Sequence, residues 1–387
     1  MRRPGFIPFI GILLFLAWGC GGSSSDNPLT FDVNPTDRAA QTGGNFLDVS
    51  IFPLDEIASG GDKDELPALI DQRMVAPGDP NVTGYLRDTD LVLGVVINGD
   101  TRAYPHNIFW WHEIANDVVG RVPICVTFCP LTGTGMVFDA RDADGSRILL
   151  GVSGLLFNNN LIMYDKRDDE TLYPQMVSSG ISGPRTGQEL KQLPVVETTW
   201  GYWKQLYPNT RVVSGLTDLD PGGLYTLNPY SRSGVDNNRE RHDFIPFPLN
   251  PSLEDNPIGG LFPSKELVLG VRFGEIAKAY PFINMGDRAV VNDIVASNPL
   301  VVVWNADPYM AVPFSRQIDG TELTFDMIES GNDTYPFLLK DRETETVWDL
   351  KGAGIRGKHK GRLLRQIPAT NAFWFAWASF WQNTGVF

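Results

Sequence analysis

Cysteine and histidine are scarce in this chain: 387 residues hold three of the first and four of the second. That excludes a Cys/His-rich zinc scaffold and a multi-cluster iron–sulfur protein. Positive charge is also short. Against 46 Asp and Glu stand 32 Lys and Arg, giving a formal net charge of -14. This acidic balance excludes nucleic acid and anionic membrane surfaces as main partners. No phosphate loop, dinucleotide fingerprint, His-Glu-x-x-His or Gly-x-Ser-x-Gly element is present. What is plentiful is apolar and turn-forming. A 42% hydrophobic content with 11% aromatics excludes general disorder. The 39 glycines and 28 prolines point to short strands and many turns, not to a helix bundle.

The N-terminus reads as an address. Arg2 and Arg3 precede an apolar run from Phe6 to Trp18, broken by Pro8. The run is shorter than the roughly 20 residues a membrane-spanning helix needs. A charged start, a short apolar stretch and a small residue describe an export signal over residues 1–19. Leu16-Ala17-Trp18-Gly19-Cys20 resembles the lipobox of bacterial lipoproteins. That resemblance makes Cys20 the lipidated first residue of the mature chain. The alternative is a cleaved secretory signal with an incidental cysteine. Residues 20–83 then form a tether, opened by Gly21-Gly22-Ser23-Ser24-Ser25, and an N-terminal segment. The expected location is extracytoplasmic, in the periplasm or on the cell surface, with the membrane met only through acyl chains.

The body of the chain repeats itself. Residues 91–105 match residues 267–281 at eight of 15 positions with a constant offset of 176. Asn116-Asp117 falls on Asn292-Asp293 at the same offset. Gly183, Gly187, Gln192, Pro194, Trp200 and Trp203 fall on Gly357, Gly361, Gln366, Pro368, Trp374 and Trp377 at an offset of 174. Two ordered blocks at nearly one offset predict two homologous copies, 84–215 and 261–387, joined by a connector over 216–260. Each copy reads mainly as strands. Leu91 to Ile97 and Thr101 to Tyr104 flank Asn98-Gly99, a hairpin signal. Pro123 to Phe128 and Leu300 to Trp304 are further strands. The spacing predicts short helices over 107–118 and 200–206, the second capped by Thr198 or Thr199. The expected fold is mainly β with short helices (α+β), its two β-rich copies packed as a pseudo-symmetric unit.

The second copy serves as an internal control. Positions kept in both are structural; positions peculiar to one are free to carry chemistry. His112, Glu113 and Cys129 fall on Arg288, Ala289 and Asn305, so they belong to the first copy alone. Cys129 ends an apolar strand before a Pro- and Gly-bearing turn, where a side chain is held rigidly at a cleft mouth. Its thiol suits a nucleophile or a soft metal ligand beside an imidazole. Its other reading is a buried small hydrophobe, as for Cys125. Four residues apart on one strand, the two lie about 13 Å apart, too far for a disulfide. Asn158-Asn159-Asn160 is either a solvated turn or the lining of a polar pocket beside Ser153. His106 and His359 read as incidental, and His242 as part of a charged loop.

Several of these stretches resemble the DUF3179 family of unknown function. They are residues 111–117, 126–135, 151–154 and 158–165, then Pro174-Gln175 and Gly183-Pro184. Many members carry Cys-Pro-Leu-Cys where this chain has Cys129-Pro130-Leu131-Thr132, which leaves Cys129 as the single thiol of that motif here. The resemblance implies a domain and no activity.

Three functions compete on this evidence. The first is a Cys129/His112 metal site, copper being the metal expected from a thiolate and an imidazole. Next comes a non-catalytic envelope module that binds a small molecule or a partner. The third is a thiol enzyme. Cys129 is then the nucleophile, His112 the base, and Glu113 or Asn116 orients the base. The Gly133 and Gly135 amides stabilise an oxyanion.

Overall fold

The computed structural model describes residues 49–217, 223–230, 244–331 and 334–387. The expected signal, Cys20, His242 and part of the connector lie outside the described residues. Within them strands dominate, and no helix exceeds seven residues. No helix among them is long and apolar enough to cross a membrane.

The first sheet grows from the hairpin of Leu91–Ile97 and Asp100–Pro105. Asn98 and Gly99 both take positive φ, 49° and 81°, the turn whose twist matches its flanking strands. Val196–Thr199 pairs antiparallel with the first hairpin strand, and Arg211–Val213 lies parallel to the second. Between them runs the helix Trp200–Leu206. Its Trp203 lies flat on Gly94, where a Cβ would stand only 2.2 Å from the ring. Trp203 Nε1 donates to Thr210 Oγ1 at 2.9 Å. Thr199 sits at the helix N-cap without a side-chain cap bond, and the Thr198 hydroxyl donates instead to Pro308 O at 2.6 Å.

A meander of Ile114–Val119, Val122–Cys129 and Thr134–Asp139 forms the centre of a second sheet. A third pairs Leu150–Phe157 with Asn160–Asp165 and Leu172–Pro174. In the C-terminal half, the hairpin of Leu267–Phe273 and Ile276–Pro281 has Ala369–Phe373 antiparallel on one side. On its other side Gly385–Val386 runs parallel. Trp377, from the helix Trp374–Phe380, lies on Gly270 and donates to Thr384 Oγ1 at 3.0 Å. A meander of Arg288–Val295, Asn298–Asn305 and Met310–Ser315 follows the hairpin. A four-stranded sheet begins at Phe325–Ile328.

The helix expected over 107–118 is shorter and earlier. It spans His106–His112 and stops because Glu113 turns left-handed at φ 53°. Ile114–Val119 continues as a strand, so Asn116 is a sheet residue. Three of that strand's six residues, Ile114, Val118 and Val119, are β-branched and favour extended backbone. The cores are shared between the halves. One joins Cys125, Cys129 and Phe157 to Leu269, Trp304 and Phe373; another joins Trp203 to Val303 and Trp348.

Candidate functional site

Strand alternation divides the Val122–Cys129 strand between two environments. Cys125 and Cys129 enter the core shared with the C-terminal half, whereas Ile124, Val126 and Phe128 enter another. Both cysteines are free and fully buried. The Cys129 thiol donates to Asn159 O at 3.4 Å. Burial first, then the neighbouring Glu113 carboxyl, pushes it up to about 12 against the opposing Thr132 hydroxyl and the Thr132 and Leu161 amides. Burial likewise raises Cys125, with Arg147 opposing. A thiol so held is a poor nucleophile at neutral pH.

The His112 ring is engaged at both nitrogens. Nδ1 lies 2.7 Å from Pro67 O and Nε2 lies 2.6 Å from the Tyr225 hydroxyl. A metal would have to displace one of them. Glu113 is buried, and that burial pushes its carboxyl up to about 8. It stands in electrostatic contact with Cys129, and Tyr230 faces both. Asn116 clasps the next sheet: Nδ2 donates to Leu150 O and Oδ1 accepts from Leu150 N, each at 2.9 Å. Gly135 pairs with Phe128 in the strand ladder. Among the described residues no group of three or more His, Cys, Asp and Glu gathers as a metal site.

The three asparagines are buried and fully employed. Asn158 exchanges two hydrogen bonds with the Asn250 backbone, and Asn159 exchanges two with that of Phe247. Both carry positive φ, 49° and 63°, as the turn requires. Asn160 bonds Thr132, Thr134 and Gln175, and accepts from Met176 N. The Ser153 hydroxyl donates to Ile162 O and accepts from Leu155 N. These four side chains tie strands and the 244–251 segment together.

A cavity of about 390 Å³ opens on the other side of the Val122–Cys129 strand. Its floor is His106, first residue of the His106–His112 helix, and Glu197 of the Val196–Thr199 strand. Pro105 sets this geometry by ending its strand and launching the helix at φ −68°. Asn107 and Trp110 come from the same helix, and Phe128, Pro130 and Gly133 from the strand end and turn. Leu267 and Phe373 close the cavity from the C-terminal half.

His106 and Glu197 are both more than nine-tenths buried. The imidazole stacks on Phe128 with centroids 3.9 Å apart. Its Nε2 lies 3.8 Å from Glu197 Oε1, beyond hydrogen-bond reach, and has no partner among the described residues. Asn107 Nδ2 donates to Asp90 Oδ2 and Tyr225 O, while its buried Oδ1 has no partner among the described residues. Burial drives His106 down to about 3. Burial drives Glu197 up to about 8, opposed by a hydrogen bond from Asn371. Both are therefore neutral near pH 7.

His106 and Glu197 are absent from the candidates read in the sequence, although the signal was there. At the two offsets His106 falls on Phe282 and Glu197 on Asn371. Phe282 stacks on Trp304 as His106 stacks on Phe128. The comparison that singled out Cys129 singles out this pair equally.

The family model described as a protein of unknown function (DUF3179) matches residues 63–384, and the chain belongs to that family. No curated protein and no solved structure matches it.

Proposed function

We propose that this protein is an exported, lipid-anchored binding module of the cell envelope, whose small-molecule pocket is built on His106 and Glu197. One observation carries the reading. A buried imidazole nitrogen and a buried amide oxygen, both without a partner among the described residues, line together with the buried Glu197 carboxyl a cavity of about 390 Å³ beside aromatic walls. Pockets of this size with few convergent polar groups are the usual form of a ligand site. The reading ranks above a Cys129/His112 copper site and a Cys129 nucleophile, since His112 is engaged at both nitrogens and the thiol is deeply buried. The test is ligand-observed NMR of the mature chain against a diverse fragment set, with Thr89→Trp blocking the exposed rim. Binders lost in that variant support the reading. Binders indifferent to it, or none at all, remove it.

The scaffold is inferred to be a duplication, with copies at 84–215 and 261–387 about a pseudo-two-fold axis. Reciprocal contacts support this. Thr199 N donates to Pro308 O at 2.9 Å and Phe373 N to Thr132 O at 2.8 Å. Gln192 Nε2 donates to Ala369 O and Gln366 Nε2 to Val195 O. At the sequence offsets these are two pairs of equivalent bonds, the pattern of an isologous interface. Tyr104 with Asp117 and Tyr280 with Asp293 form another equivalent pair, each hydroxyl donating to the carboxylate.

A further inference from the structure

The pocket's chemistry is one-sided. Among the described residues, its buried atoms without a hydrogen-bond partner are His106 Nε2 and Asn107 Oδ1. The amide orientation of Asn107 is set by the two oxygens its Nδ2 serves, so Oδ1 is an acceptor. A neutral imidazole that carries its proton on Nδ1 presents Nε2 as an acceptor, and this is the tautomer a donor head selects. The ionisable groups beside them are the Asp90 and Glu197 carboxyls and the Tyr230 hydroxyl, and the buried Lys265 ammonium lies 5.8 Å from the centroid of the Phe373 ring. No Lys or Arg lines the cavity among the described residues. Trp110, Phe128 and Phe373 supply aromatic walls.

We propose that the ligand is a small organic amine. Its ammonium nitrogen sits between His106 Nε2 and the Glu197 carboxylate, and its hydrocarbon part lies against the aromatic walls. The proposal rests on the pocket reading above and adds the ligand class. Two acceptor atoms 3.8 Å apart can both be reached by one nitrogen at ordinary hydrogen-bond distance. A donor-only head satisfies both, whereas a carboxylate or phosphate offers no hydrogen to either. Aromatic faces also favour a desolvated cation. The entering cation stabilises ionised Glu197, so the carboxyl proton leaves to solvent on binding. The Asn371 hydrogen bond already favours that charged form.

Titration calorimetry on the mature chain, with benzylamine, benzyl alcohol and benzoate as probes, tests this. Benzylamine is expected to bind at least about tenfold more tightly than benzyl alcohol, and benzoate more weakly still. Its affinity should rise from pH 6 to 8, and its heat should depend on the buffer's ionisation enthalpy as a proton is released. Glu197→Gln and His106→Phe should each cost about tenfold or more. His106→Phe copies the Phe282 stack of the other half, so it is expected to fold, and a thermal melt verifies this. Equal binding of benzyl alcohol and benzylamine, or a Glu197→Gln variant that binds benzylamine unchanged, overturns the amine while leaving the pocket. Failure of all three probes and of the fragment set overturns both.

Discussion

A single residue of strand register separates the Phe128 side chain from that of Cys129, and with it the pocket from the core. The sequence shows the strand and its end but not which neighbour faces the cavity, because that depends on what packs on each side. The buried acids make a pH prediction at this scale. Glu113 and Glu197 are held near 8 against an ordinary value near 4.5, so their contribution is complete below about pH 4.5 and is lost as pH rises through 8. His106, held near 3, costs stability only as pH falls below its ordinary value near 6.5. Of these three groups the two acids act between pH 6.5 and 8, so the melting temperature should fall with rising pH. Glu197→Gln should flatten that fall, as thermal scans at half-unit steps will register. For the thiols, iodoacetamide should leave Cys125 and Cys129 unmodified in the native protein and label both in denaturant. Mass spectrometry reads this, and fast native labelling of Cys129 would speak for the nucleophile instead.

At the scale of elements, the four strands read from the sequence are present, within Leu91–Ile97, Asp100–Pro105, Val122–Cys129 and Asn298–Asn305. Apolar runs bounded by Asn-Gly or Pro locate the hairpin strands and the helix Trp200–Leu206. The helix expected to reach 118 failed because apolar residues continue past Glu113 at Ile114, Ala115 and Val118, while the chain reverses there through one left-handed residue. The asparagine turn was legible as a turn; its role as a clasp was not, since its partners lie some 90 residues away. The glycine under each tryptophan was legible only as a repeat. A Cβ at Gly94 or Gly270 meets the indole at 2.2 or 1.9 Å, so Gly94→Ala and Gly270→Ala should each cost about 1–3 kcal/mol. Chemical denaturation measures both, and a cost near zero would mean the tryptophan shifts freely.

For the whole molecule, the matching blocks at 91–105 and 267–281 are visible in the sequence alone, because offset and order need no coordinates. What the two halves do to each other was not readable, since it lies in contacts between them. The anchor proposal carries its own experiment. In a bacterial host, wild type should partition with membranes and incorporate labelled palmitate, and Cys20→Ser should lose both. Equal labelling of the two forms would place the acyl group elsewhere or nowhere.

The cavity takes its floor from one half and part of its wall from the other, through Leu267 and Phe373. The C-terminal half, with phenylalanine at 282 and asparagine at 371 in place of the imidazole and the carboxyl, is therefore no idle passenger. A change at Phe373 reshapes a chamber whose polar groups are encoded far upstream. One half supplies the imidazole and the carboxyl, and the other shapes the room they face.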